Sequence, residues 1–378
     1  MSVLNVPEAD LDDLRARLRN TRWATPWPIG AWEAGTDGDL LRRLVDHWAT
    51  AYDWRKHEAD INALPSHVAE IDGTTVHYLR FDAEREGAPA LLVANGWPST
   101  FLEMTGLADR LSSPSRHGGK PEDAFTVIVP SLPGYGLSPQ RPTMAGPVHT
   151  HDLWHRLMHD ELGFTRYGAH GSDIGAGDTS RLAQAYPRSV TGLHLTDVAP
   201  PPAYDPADLT DEERAFVDAE EAWAVAERGY SHQQMTRPLT LAQGLSDSPS
   251  GLLAWILEKY RAWSDCKGDV STRFSDDFLL TQASLYWFTN AISTSFRPYY
   301  ERHNKIATPI TRIEVPTALA LFPADLGARQ PRSWAERTYN LTRYTPMPRG
   351  GHFAAHEEPS LLAADITEFF RTLGNPVG

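Results

Sequence analysis

The stretch His170-Gly171-Ser172-Asp173-Ile174-Gly175-Ala176 has the spacing of a nucleophile elbow. The apolar run Tyr167 to Ala169 reads as a strand leading in and Asp178 to Tyr186 as a helix leading out. A tight turn between them would lift one side chain into a cleft. Residues two before, two after and three after its apex must be small so that strand and helix can approach. With Asp173 at the apex these are Gly171, Gly175 and Ala176. With Ser172 there, His170 and Ile174 would stand where the serine form G-x-S-x-G takes glycine, so the spacing selects a carboxylate. The bland alternative is a Gly-rich structural turn after a buried strand.

A nucleophile on such a turn is followed along the chain by an acid and then a histidine, which activates water. Leu319 to Ala324 is an apolar strand running into a loop, with Asp325 just past its end. Arg349-Gly350-Gly351-His352-Phe353 follows a strand and precedes the last helix, its two glycines letting the loop bend toward the cleft. Alone, Asp325 would read as a helix cap and His352 as a surface residue; their order and placement join them to Asp173. Asn95-Gly96-Trp97-Pro98 ends an earlier strand, where this arrangement takes its second oxyanion amide. The backbone N–H groups of Trp97 and Ile174 are the assigned donors.

The elements needed to hold these groups are legible in the hydrophobic pattern. From Ala90, strands fit at 90–95, 125–130, 167–172, 190–197, 317–323 and 341–346, alternating with helices at 100–111, 150–162, 176–186, 331–339 and 359–373. Such alternation marks an α/β protein with a mostly parallel sheet and helices on both faces. Residues 200–309 break the rhythm with helical patterns only and read as a helical lid inserted in a core of 83–199 and 310–378. Residues 1–82 read as an N-terminal wrapping region. It holds helices near 7–19, 39–52 and 54–64, and a hairpin turning at Asp72-Gly73. The Trp-, Pro- and Gly-rich stretch 21–38 makes no regular element, so Trp23, Trp27 and Trp32 are expected to be covered by packing.

Composition narrows the partners. A chain of 378 residues with 41% hydrophobic content buries a large core, and a net charge of −14 disfavours nucleic acid and anionic membrane surfaces. The first thirty residues carry charge throughout, with no apolar run for a signal peptide or membrane span, so the expectation is a soluble, cytoplasmic protein. The single cysteine, Cys266, excludes an internal disulfide and a Cys-rich zinc site. His151, His155 and His159 share a helix face, but no Asp or Glu completes a zinc pattern and no metal is assigned. The G-x-G-x-x-G spacing is absent and no cofactor is implied. The oligomeric state stays open, a homo-oligomer included.

Several motifs together resemble the microsomal-type epoxide hydrolases. They are the elbow, Asn95-Gly96-Trp97-Pro98, Pro130 to Gly136, Ser295 to Glu301, Gly350 to Ala355 with Glu357-Glu358-Pro359, and upstream Thr21-Arg22-Trp23 and Tyr52-Asp53-Trp54-Arg55. The resemblance covers nearly the whole chain and implies an α/β-hydrolase fold acting on a small-molecule epoxide and water. It implies that Asp173 opens the epoxide to an aspartyl ester, which His352, oriented by Asp325, hydrolyses to a vicinal diol. Two tyrosines would hydrogen-bond the oxirane oxygen; the matching positions are Tyr230 and Tyr299, with adjacent Tyr300 competing. Asn95 departs from the family's usual His. That leaves room for a specialised or biosynthetic substrate, or for opening by a nucleophile other than water. Haloalkane dehalogenation uses the same ester chemistry, but its usual halide-binding Trp is replaced by Ile174. A non-catalytic ligand-binding protein would have no need of an ordered Asp, Asp and His.

Overall fold

Eight strands form one sheet in the order β1-β2-β4-β3-β5-β6-β7-β8 in the computed structural model, which describes residues 4–144, 146, 148–201, 203–325 and 327–374. The strands are β1 (Ser66–Ile71), β2 (Thr74–Phe81), β3 (Ala90–Ala94), β4 (Thr126–Pro130), β5 (Tyr167–Gly171), β6 (Val190–Leu195), β7 (Ile313–Leu321) and β8 (Tyr339–Pro346). The first two form a hairpin, with Asp72 and Gly73 both at positive φ, and β2 pairs antiparallel with β4. The remaining pairs are parallel. All residues of β3 and β5 are buried, as a parallel sheet covered on both faces requires.

The helices are α1 (Glu8–Arg19), α2 (Gly38–Thr50), α3 (Trp54–Asn62), α4 (Thr105–Ser112), α5 (Thr150–Arg156), α6 (Asp173–Ala185), α7 (Asp211–Glu227), α8 (Gly229–Thr236), α9 (Pro238–Asp247), α10 (Pro249–Trp263), α11 (Asp276–Phe288), α12 (Ala291–Ser295), α13 (Arg297–His303), α14 (Arg332–Glu336), α15 (Ala354–Glu357) and α16 (Pro359–Thr372). Within the sheet layers α4 packs on α16 and α5 on α6. Helices α7 to α13 lie between β6 and β7 in the chain.

Several boundaries differ from the sequence expectation, among them that of β7, which begins at Ile313 rather than at 317. Helix α6 begins at Asp173 itself rather than at Ala176, because the elbow turns directly into the first helical residue. The predicted helix 331–339 is only Arg332–Glu336, since Tyr339 already pairs with Ile313 in the sheet. The predicted helix 150–162 stays α-helical only to Arg156 and widens into a π-type turn over Leu157–Glu161.

The N-terminal helices pack on the inserted ones. The Trp48 indole N–H donates to Ser284 Oγ at 3.0 Å, Tyr52 OH lies 2.9 Å from Thr281 Oγ1, and Arg43 pairs with Asp276. The expectation that all three tryptophans of 21–38 are covered does not hold. Arg261 lies over Trp32, but Trp27 is 72% exposed and Trp23, although Arg42 lies over its ring, is also exposed. Pro26 and Pro28 flank Trp27 and prevent regular pairing, while side chains tie the stretch at Thr21, whose Oγ1 donates to Leu18 O, and at Thr36, whose Oγ1 donates to Ala254 O. Among the described residues no helix is long and apolar enough to cross a membrane.

Candidate active site

The carboxyl ends of β3, β5, β6, β7 and β8 lead to Trp97, Asp173, Asp197, Asp325 and His352, the side of a parallel sheet where ligands bind. Asp173 sits at φ 49°, a left-handed conformation that costs a non-glycine residue energy and marks a functional turn. Its small neighbours are sterically required. A Cβ on Gly171 would lie 2.4 Å from Thr179 Oγ1, and one on Gly175 2.6 Å from Ala94 O and Asn95 O. On the facing loop, a Cβ on Gly96 would lie 2.1 Å from Asp173 Oδ1. The space left open lets the Trp97 N–H donate to Asp173 Oδ1 at 2.8 Å. Ile174, the other assigned donor, lines the same cavity, but only the Trp97 amide contacts the carboxylate among the described residues.

His352 reaches the other carboxylate oxygen. Its Nε2 is 3.7 Å from Asp173 Oδ2 and its Nδ1 is 2.8 Å from Asp325 Oδ1. The loop is pinned by His352 N–H donating to Trp263 O at 2.8 Å. Gly350 is at φ 104°, and a Cβ on Gly351 would come within 2.6 Å of Trp263 O, so both glycines are needed for that approach. Burial alone would lower the His352 pKa, but the Asp325 charge and hydrogen bond, then Asp173 and Glu103, raise it to about 10. The carboxylates around it thus favour the protonated imidazole.

A cavity of about 640 Å³ opens over this group. Tyr230 and Tyr299 both line it, with ring centroids 6.2 Å apart and the rings edge to face. Tyr300, one residue on, is absent from the lining, so helix α13 turns Tyr299 and not its neighbour inward. The Tyr230 ring stacks on the Trp97 indole at 5.5 Å and 9°. Burial, and next the Asp173 charge, hold both phenols above their ordinary pKa, so they are hydrogen-bond donors in the resting site. Phe216, Trp223, Met235 and Trp334 make much of the wall apolar.

Sequence reasoning missed Asp197, which lines the cavity and is pushed up to about 7 by burial and then by the Asp325 and Asp173 charges. Its signal was present: an apolar strand, Leu193 to Leu195, with an acid just past the end, the same feature that marks Asp325. It also missed the brace under the tyrosines, where Glu301 receives Arg141 at 2.7 Å and Arg297 at 2.6 Å. Tyr135 OH, from the Pro130 to Gly136 motif, donates to Ser295 O at 2.7 Å and ties the two motifs together. Asn95 is buried and donates to Gly96 O at 3.1 Å within its own loop. The three helix histidines form no metal site: His155 Nδ1 bonds the Tyr167 hydroxyl, and no group of three potential ligands occurs among the described residues.

The family model described as epoxide hydrolase N terminus matches residues 2–104, and that described as alpha/beta hydrolase fold matches residues 89–225. Epoxide hydrolase 1 of Oryctolagus cuniculus is 32% identical over 96% of this chain and 86% of its own length. The chain belongs to the epoxide hydrolase family. A Stigmatella aurantiaca protein that carries a provisional epoxide hydrolase name is 40% identical over 97% of this chain and 84% of its own. The Aspergillus niger epoxide hydrolase structure superposes with a TM-score of 0.83 at 30% identity, covering 98% of this chain and 95% of that one.

Proposed function

We propose that this epoxide hydrolase works through an aspartyl ester at Asp173. The observation that carries the reading is one carboxylate gripped at Oδ1 by the Trp97 amide, with the His352–Asp325 pair behind Oδ2 and two phenols across the cavity. An epoxide oxygen is a poor leaving group without a donor, and Tyr230 and Tyr299 supply the hydrogen bonds. Oδ2 attacks an epoxide carbon in line, the C–O bond breaks, and the alkoxide takes a proton from a phenol. Oδ1 then becomes the ester carbonyl oxygen, already within reach of the Trp97 N–H, with the Ile174 amide next to it.

Ester formation also prepares the base. With Asp173 ionised the imidazole holds a proton; once that charge is consumed in the ester, one of the two anions supporting the cation is gone and its pKa falls. The proton passes to solvent or to the tyrosinate, and neutral His352 takes a proton from water as the oxygen attacks the ester carbonyl. Collapse of the tetrahedral oxyanion breaks the ester bond, returns Asp173 as a carboxylate and releases the vicinal diol. Water is favoured over another nucleophile because the His352–Asp325 pair beside Asp173 is placed to activate it. Ile174 offers no indole N–H to a departing halide, which disfavours dehalogenation. The apolar wall favours a neutral epoxide with an apolar body.

The test uses styrene oxide in oxygen-18 water. In the first turnover one heavy oxygen is expected in Asp173, by mass spectrometry of its peptide, and multiple turnovers carry it into the diol. Asp173→Ala is expected to abolish turnover and His352→Gln to accumulate the ester as a mass increment on that peptide. Label in the diol but never in Asp173 would mean direct attack by water and would sink the covalent mechanism.

A further inference from the structure

One charged group beside the site has no place in the chemistry above. Lys259, on α10, is 5% exposed, and its ion pair is with the neighbouring Glu258. Its Nζ lies 4.5 Å from the centroid of the Tyr230 ring and 5.6 Å from that of Trp263. Burying an ammonium is costly, and one ion pair with a half-buried glutamate offsets only part of that. The ring faces supply the rest, since a desolvated cation is drawn to an aromatic quadrupole.

The contact matters because of what the Tyr230 ring touches. It stacks on Trp97, whose backbone N–H holds Asp173, and its centroid is 5.1 Å from that of Trp263, whose carbonyl holds the His352 loop. Tyr230 lines the cavity and Lys259 does not, so the ammonium meets the ring away from the substrate. The phenol has Asp173 opposing loss of its proton, and Arg302 and Arg228 favouring it. We propose that Lys259 is a positioning residue for epoxide opening, acting through the Tyr230 ring to stabilise the negative charge that grows on the phenol as its proton moves to the alkoxide. A cation over a ring that becomes electron-rich is bound more tightly in that transition state than before it, which is what accelerates a step. Hydrolysis of the ester draws on His352 and the oxyanion amide, and Lys259 touches neither.

This rests on Tyr230 being a proton donor, and the experiment separates the two claims. Single turnover of styrene oxide is followed by quenching and weighing the Asp173 peptide, which gives the rates of ester formation and ester decay. In Lys259→Met ester formation is expected to slow at least about tenfold while decay stays within about twofold, and Lys259→Arg should regain most of the loss. In a Tyr230→Phe background, Lys259→Met should add nothing, because no phenolate charge remains to support. Wild-type ester formation in Lys259→Met, equal slowing of both steps, no recovery with Arg, or the same further loss in the Tyr230→Phe background would each overturn the role. Wild-type ester formation in Tyr230→Phe itself would instead remove the donor reading beneath it. Lys259→Gln replaces the Met variant if that one does not fold, and is judged by the same outcomes.

Discussion

The His352 imidazole links the stability of the site to pH. Its folded-state pKa is raised to about 10 from an ordinary 6.5, against the pull of burial, by the Asp325 charge and hydrogen bond and then by Asp173 and Glu103. A raised folded pKa means that the cation is bound more tightly in the native state than in the unfolded chain. The resulting stability is fully present below about 6.5 and is lost as pH rises through about 10. We expect the melting temperature of the wild type to fall across that window more than that of His352→Gln; parallel curves would contradict it. Asp173→Asn removes one of the supporting anions, so the imidazole in that variant should titrate at lower pH than in the wild type. Proton NMR of the ring would show the direction.

The loop between β8 and α15 and the end of α10 must meet at bond distance for the imidazole to face Asp173. His352 N–H donates to Trp263 O at 2.8 Å, and Glu357 accepts the Asp265 N–H at 2.7 Å and the Phe353 N–H at 3.1 Å, clamping both sides of the joint. A methyl group at Gly351 would fall 2.6 Å from Trp263 O and 2.8 Å from Asp265 N, both backbone atoms that cannot swing away. Gly351→Ala should therefore push the imidazole outward. A displacement of about 1 Å costs on the order of a hundredfold in rate, and the loss should fall on ester decay rather than ester formation. Equal slowing of the two steps would argue against a displaced base. The two glycines were legible as a bend; that the bend closes on α10 was not, because the partner lies some ninety residues earlier in the chain.

Taken as one body, the protein joins its N-terminal helices to α9, α10 and α11, and α9 packs in turn on α8, which carries Tyr230. Trp48 is 3% exposed and donates to Ser284 on α11, while Arg17 on α1 reaches Asp247 at the end of α9. Trp48→Ala removes a buried indole and leaves a cavity at this joint, a change that costs roughly 3–5 kcal/mol where the surroundings cannot collapse. Chemical denaturation should show a loss of that size. An effect under about 1 kcal/mol would mean that the joint repacks freely. The helices beside α8 are thus held in part by a segment that does not line the cavity.

The elbow turn and the placement of Asp325 and His352 beside it were readable because their requirements are local. A strained turn admits only small residues at fixed offsets from Asp173, and Asp325 and His352 each follow a strand directly, so spacing and chain order were enough. Asp197 carried the same strand-end signal and was passed over, since nothing along the chain says which of two neighbouring strands faces the histidine. The choice of Tyr299 over Tyr300 depended on the rotation of α13, which Glu301 braces through arginines far apart in sequence. The contact of Lys259 with Tyr230, and the exposure of Trp27 where covering was expected, likewise depend on how separate helices and loops come to rest on one another. Those contacts join residues distant in sequence, and only packing brings such residues together.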